Sequence, residues 1–233
     1  MTMRKWNTVY ILVLGVTILS VYYAYASDLP KWFPFNKENS LQEWQEKVFK
    51  NKVLYYVEPR EKDGYLLAKS ENACSGLFYK VKFEPKDLPM ISWSWRVEKF
   101  PEKVVPDAAS SPDEKDGWIE KDDYAARVYV IFPSLHFIKT KSIEYIWDEN
   151  LPEGTIITSP YFRNIKLIVA ESGRKNMGKW VFEERNIFED YKKAFGKPPS
   201  SSVRAIALMT DTDNTLSTAE ALYKNIKVGY KDE

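Results

Sequence analysis

From Val53 onward, apolar and polar positions alternate in short runs broken by turn residues. The runs are Val53 to Val57, Tyr65 to Lys69, Gly76 to Phe83, Met90 to Val97, Tyr124 to Phe132, Ser142 to Trp147, Thr155 to Ser159, Lys166 to Glu171, Lys179 to Phe182, Ser202 to Thr210 and Ala221 to Val228. A period of two over four to ten residues is the mark of a strand. Short strands at this spacing predict an all-β fold, a jelly-roll-like β-sandwich or a closed barrel, and argue against βαβ units.

One segment has the helical period. Asn186 can cap it, Glu189 stands three residues on, and Ile187, Phe188, Tyr191 and Phe195 share a face. Gly196, Pro198 and Pro199 end it, so one short helix is predicted near residues 186–195. Between Asp28 and Lys52 two readings stand. Leu41, Trp44, Val48 and Phe49 fit a helical stripe behind a Ser40 to Glu43 capping box, and Glu46 to Phe49 also fits a strand. Pro101 to Lys121, rich in proline, serine and charge, reads as an exposed excursion between strands.

The first 26 residues follow a different rule. Arg4 and Lys5 precede an apolar run from Val9 to Val21, and Ala24-Tyr25-Ala26 offers small residues at the positions a signal peptidase reads. Cleavage after Ala26 is the first reading; an uncleaved anchor over residues 6–26 is the second. Both place residues 27–233, a single domain, in the periplasm or outside the cell.

Aromatics make up 15% of the 233 residues, enough for a large core, and 34 basic residues against 33 acidic give no field that would draw a nucleic acid. The lone cysteine, Cys74, cannot form an intrachain disulfide and reads as a buried thiol. The lone histidine, His136, limits histidine-based catalysis and zinc binding to whatever that one residue can do.

Three segments carry a resemblance. They are Pro89 to Val97 (PMISWSWRV), Asp122 to Val130 (DDYAARVYV) and Thr210 to Thr215 (TDTDNT), supported by Trp180 to Gly196 and Ala219 to Ile226. Together they resemble the bacterial domain-of-unknown-function family 3047 over nearly all of residues 30–229. Ser94 departs from the charged or larger residue expected there. The resemblance implies an exported β protein and supplies no reaction. The closing run from Tyr223 to Val228 is also similar to the last strand of jelly-roll carbohydrate-binding modules.

Strand parity sorts the chemistry. In Asp122 to Phe132, Tyr124, Ala126, Val128, Val130 and Phe132 form one apolar face, and Asp123, Arg127 and Tyr129 lie on the other. Asp123, Arg127 and Tyr129 therefore either line a ligand surface or form a sheet-face ion pair under a loop. Asp211, Asp213 and Asn214 crowd one strand end, where a calcium ion or a structural turn would use their oxygens. Trp93 and Trp95 read as core, Tyr145 and Trp147 as an exposed stacking surface, and Arg185 as a ligand contact or a structural pair. No catalytic set is identified.

These residues predict a noncatalytic β-sandwich of the periplasm or envelope that binds a saccharide or glycan. The alternatives are a carboxylate-based polysaccharide-active enzyme and a structural or interaction module. An exposed aromatic row favours the first, and a cleft with two facing carboxylates the second.

Overall fold

The computed structural model describes residues 30–87, 89–103, 122–134 and 139–229. The segment 1–26 expected to be a leader or anchor, the part of the expected excursion beyond Lys103, and His136 lie outside the described residues. Thirteen strands run in chain order: β1 Lys31–Phe33, β2 Gln45–Lys50, β3 Leu54–Glu58, β4 Tyr65–Glu71, β5 Cys74–Phe83, β6 Met90–Lys99, β7 Arg127–Phe132, β8 Lys141–Asp148, β9 Ile156–Thr158, β10 Ile165–Ser172, β11 Val181–Asn186, β12 Val203–Asp211 and β13 Thr218–Val228. One helix, α1, spans Ile187–Phe195. They form two sheets, as the alternation predicts. The six-stranded sheet has the order β11-β6-β13-β4-β3, with β1 added beside β13, and the seven-stranded sheet the order β2-β5-β12-β7-β8-β10-β9.

Both inner faces are apolar, so the sheets pack through alternate residues of each strand. Trp93 and Trp95 of β6 meet Tyr145 and Trp147 of β8 across the gap, with ring centroids 5.2 Å and 5.9 Å apart. This corrects the expectation for Tyr145 and Trp147, which are fully buried. The acidic residues after Trp147 suggested a strand end in solvent, but Ile143, Tyr145 and Trp147 take the inward positions of β8, and the apolar period prevails over the flanking charge.

Helix α1 follows β11 without a break. Asn186 caps it by accepting from Glu189 N–H at 3.0 Å, and Gly196 closes it at φ 70°, a left-handed conformation that glycine adopts without steric cost. Ahead of β2, the proposed helical stripe shrinks to one 3-10 turn, Glu38–Leu41, because Gln45 to Lys50 pairs with β5. The seven-stranded sheet is mixed: β10 lies parallel to β8, with β9 in the connection between them.

Candidate functional site

Two constellations stand out, one buried and one exposed. The buried one centres on Arg127, the first residue of β7. Its guanidinium donates to Asp211 twice, Nε to Oδ1 at 3.0 Å and Nη2 to Oδ2 at 2.8 Å. Nη1 donates to Glu144 Oε2 at 3.2 Å and to the Tyr129 hydroxyl at 3.4 Å. Nη2 also reaches the Asp122 backbone carbonyl and lies 3.6 Å from Asp122 Oδ1. The ring of Tyr124 lies under the guanidinium at 4.6 Å.

All these groups are buried, so one cation faces three carboxylates in a poorly solvated setting. Burial is the largest cause of the shifts: it raises the Asp122 carboxyl to about 6 and Glu144 to about 8, with Arg127 opposing in both cases. Asp211 is pushed up in the same way. Asp122 Oδ1 accepts no hydrogen bond although it is buried.

Asp123 takes a different course from the one parity gave it. Residues 122–126 precede the paired strand, so alternation does not extend back to them, and Asp123 bonds away from Arg127. It accepts from Asn214 N–H at 3.1 Å, Asn214 Nδ2 at 3.2 Å, Thr215 N–H at 2.6 Å and the Thr215 hydroxyl at 2.7 Å. It thereby pins the turn that joins β12 to β13. Asn214 Oδ1 in turn accepts from the Tyr161 hydroxyl at 2.7 Å.

Asp123, Arg127, Tyr129, Asp211, Asp213 and Asn214 thus gather at one end of the seven-stranded sheet. Cys74 Sγ and single carboxylate oxygens of Asp211 and Asp213 lie within 4.8 Å of one another. For a hard cation the donor set is compromised. Both Asp211 oxygens bond Arg127, and both polar ends of the Asn214 amide are bonded within the chain. The third member, a thiol, suits softer metals than calcium. Burial also raises the Cys74 thiol well above its ordinary range, which keeps it neutral.

Arg185 stands elsewhere, on β11. It grips Asp190 of α1 through Nε to Oδ2 and Nη2 to Oδ1, both at 2.9 Å, and the Tyr145 hydroxyl donates to the same Asp190 Oδ2 at 3.0 Å. This triad ties the helix to both sheets.

The exposed constellation covers the outer face of the six-stranded sheet, and none of its aromatics was singled out from the sequence. Tyr56 of β3 pairs with Leu67 of β4, Leu67 with Leu222 of β13, and Leu222 with Arg96 of β6. Trp180, one residue before β11, continues this line: the Arg96 guanidinium lies 5.4 Å and Lys224 Nζ 4.3 Å from its ring centroid. Tyr65 stands beside Trp180 at 6.1 Å. Phe182 is 62% exposed and Tyr56 54%. The signal was present in the alternation of Val181, Phe182 and Glu183, where the odd positions face inward and Phe182 must face out.

Fold and surface together define a jelly-roll-like two-sheet β-sandwich with a buried charge cluster and an aromatic outer face. The chain belongs to the family described as "Protein of unknown function (DUF3047)", which matches residues 42–227. No curated relative matches the sequence.

Among solved structures, the chain is similar to the xyloglucanase domain of NopAA, a type three effector from Sinorhizobium fredii. The identity is 10% and the TM-score 0.46, over 81% of this chain and 93% of that one. It is similar to a family 30 carbohydrate-binding module of a Clostridium thermocellum cellulosomal cellulase, with 7% identity and a TM-score of 0.42 over 82% and 93%. It also resembles the Endo-D glycoside hydrolase domain of Streptococcus pneumoniae R6, with 9% identity and a TM-score of 0.41 over 82% of this chain. The chain spans only 22% of that domain. At these scores the likenesses carry no argument about a ligand.

Proposed function

We propose that the protein is a noncatalytic saccharide-binding β-sandwich whose binding surface is the aromatic outer face of the six-stranded sheet. The observation that carries this reading is the placement of Trp180, Tyr65, Phe182 and Tyr56 on one solvent-facing sheet surface. Tyr56 and Phe182 stand largely in solvent and Trp180 and Tyr65 are half-buried, and the free parts of their rings can take the C–H side of a sugar ring while neighbouring polar groups take its hydroxyls. Arg96 and Lys224, both rising from the sheet, brace the Trp180 ring and supply donors beside it. The Arg127 cluster, with its carboxylates bonded inward, serves stability in this reading.

Native gel electrophoresis in the presence of soluble polysaccharides tests the proposal. At least one glycan should retard the wild-type protein, and Trp180→Ala should abolish the retardation without altering the circular dichroism spectrum. A protein that no glycan retards would contradict it.

A second reading rests on Glu183 of β11, the edge strand of one sheet, and Glu171 of β10, the strand beside the edge strand β9 of the other. Burial first, and then the nearby Glu171 charge, hold the Glu183 carboxyl up to about 8, a protonation state suited to a general acid. Release of reducing ends from a polysaccharide, lost in Glu183→Gln, would support a hydrolase.

A further inference from the structure

We infer that the ligand is an uncharged, linear glycan bound as an internal chain segment that runs across the strands of the six-stranded sheet. The inference rests on the saccharide-binding reading above and adds the length, charge and direction of the ligand.

Length and direction follow from register. Tyr56, Leu67, Leu222 and Arg96 are successive cross-strand partners on β3, β4, β13 and β6, and Trp180 stands at the β11 end of the same line. The line crosses five strands, or four spacings of about 4.8 Å, and is roughly 19 Å long. One sugar ring can cover one aromatic side chain. Tyr56 on β3 and Phe182 on β11 mark the two ends of the line, and the Trp180 ring, which reaches back to within 6.1 Å of Tyr65 on β4, lies between them, an arrangement matched by consecutive units of one chain.

The ends of the line set how the chain enters. β3 and β11 are the outermost strands of the sheet, and among the described residues no further strand pairs beyond either. The turn Glu38–Leu41 borders β3 beside Tyr56 but leaves Tyr56 54% exposed, so a chain lying across the sheet can continue past both edges, which favours an internal segment over a chain terminus. A pocket that recognised a terminus would need a wall at one end of the line.

Charge is the third point. Arg96 pairs with Glu98, Lys224 with Asp63, and Lys69 lies 4.0 Å from Glu220. Arg60 lies 5.5 Å from the Tyr65 ring, and Glu58 is the cross-strand partner of the same Tyr65, so the bases of the face each have an acid nearby and the surface offers no net positive field to a polyuronate or a sulfated glycan. The donors and acceptors of these pairs remain suited to hydroxyls.

Titration calorimetry with cello-, manno- and xylo-oligosaccharides from monosaccharide to hexasaccharide, and with polygalacturonate, tests the inference. In one neutral series the tetrasaccharide should bind roughly tenfold or more tighter than the disaccharide, since it covers more of the aromatic side chains along the line. Tyr56→Ala should weaken the tetrasaccharide and leave the disaccharide unchanged. Monosaccharides bound as tightly as tetrasaccharides, or a salt-sensitive preference for polygalacturonate, would overturn the inference while the saccharide-binding reading stood. If no glycan bound and Trp180→Ala changed nothing, that reading would fall and this one with it.

Discussion

Arg127 and Asp211, 84 residues apart in the chain, meet in a two-point ion pair on adjacent strands, with nitrogen–oxygen distances of 3.0 Å and 2.8 Å. The pair joins the centre of the seven-stranded sheet to the segment that enters it, because Asp211 Oδ1 also accepts the Tyr124 N–H at 3.0 Å. Arg127→Met should therefore destabilise the protein strongly, by about 3–5 kcal/mol, since Asp211, Glu144 and Asp122 would remain buried without their cation. Chemical denaturation measures this. A loss below about 1 kcal/mol would mean that the cluster is solvated in solution and is not the pin described here.

The same cluster predicts a pH dependence. Asp122, raised to about 6, and Glu144, raised to about 8, keep protons in the folded chain that they lose when unfolded. A carboxyl whose folded value is raised gives stability that is complete below its unfolded value, near 4, and lost as pH rises through the folded value. Stability should therefore fall between about pH 4.5 and pH 8, by up to about 1.4 kcal/mol per pH unit for each such group. Glu144→Gln should flatten the slope in the upper part of that window, as denaturation midpoints at several pH values would reveal. An unchanged slope in the variant would remove Glu144 as its source.

The Arg185–Asp190–Tyr145 triad makes a local prediction. Asp190→Ala should cost about 1–3 kcal/mol, because it leaves the buried Tyr145 hydroxyl and the Arg185 guanidinium without their shared acceptor. Hydrogen exchange should quicken first in α1, which the triad ties to the sheets. Uniform quickening throughout the chain would indicate a global effect instead.

Calcium should leave the melting temperature unchanged. The oxygens of Asp211 are committed to Arg127 and Tyr124, and the Asn214 amide to Tyr161 and Asp123. A ligand that binds only the folded state stabilises it by RT ln(1 + L/Kd), with L its free concentration, and so raises the midpoint as its concentration passes Kd. A calcium-dependent rise abolished by Asp213→Asn would establish the cation site instead.

Much of this architecture was legible in the sequence, and the reasons can be traced to particular residues. Ile91, Trp93, Trp95 and Val97 alternate cleanly, so parity alone assigned them to the core, and Asn186 with Gly196 fixed both ends of the helix. Parity put Asp123 on the same face as Arg127 and offered the two as an ion pair, whereas Arg127 bonds Asp211 and Asp123 bonds Asn214. Parity holds only within a paired strand, and β7 begins at Arg127. Glu144 was missed although it is a lone acid inside the apolar run Ile143 to Trp147, a pattern that marks a buried charge in need of a partner. The aromatic face could not be assembled from the sequence, because Tyr56, Tyr65 and the Trp180–Phe182 segment come from three separate parts of the chain whose order in the sheet is set by long-range pairing.

The role of the aromatic face is tested most directly by one comparison: titration calorimetry of wild type and Trp180→Ala with the tightest glycan found in the oligosaccharide series, alongside the melting temperature of each. The account predicts that the variant binds at least about tenfold more weakly, with only a modestly lowered melting temperature, since Trp180 is half-buried against Arg96, Lys224 and Tyr65 but lies outside the paired strands. Equal affinity in the two proteins would contradict it.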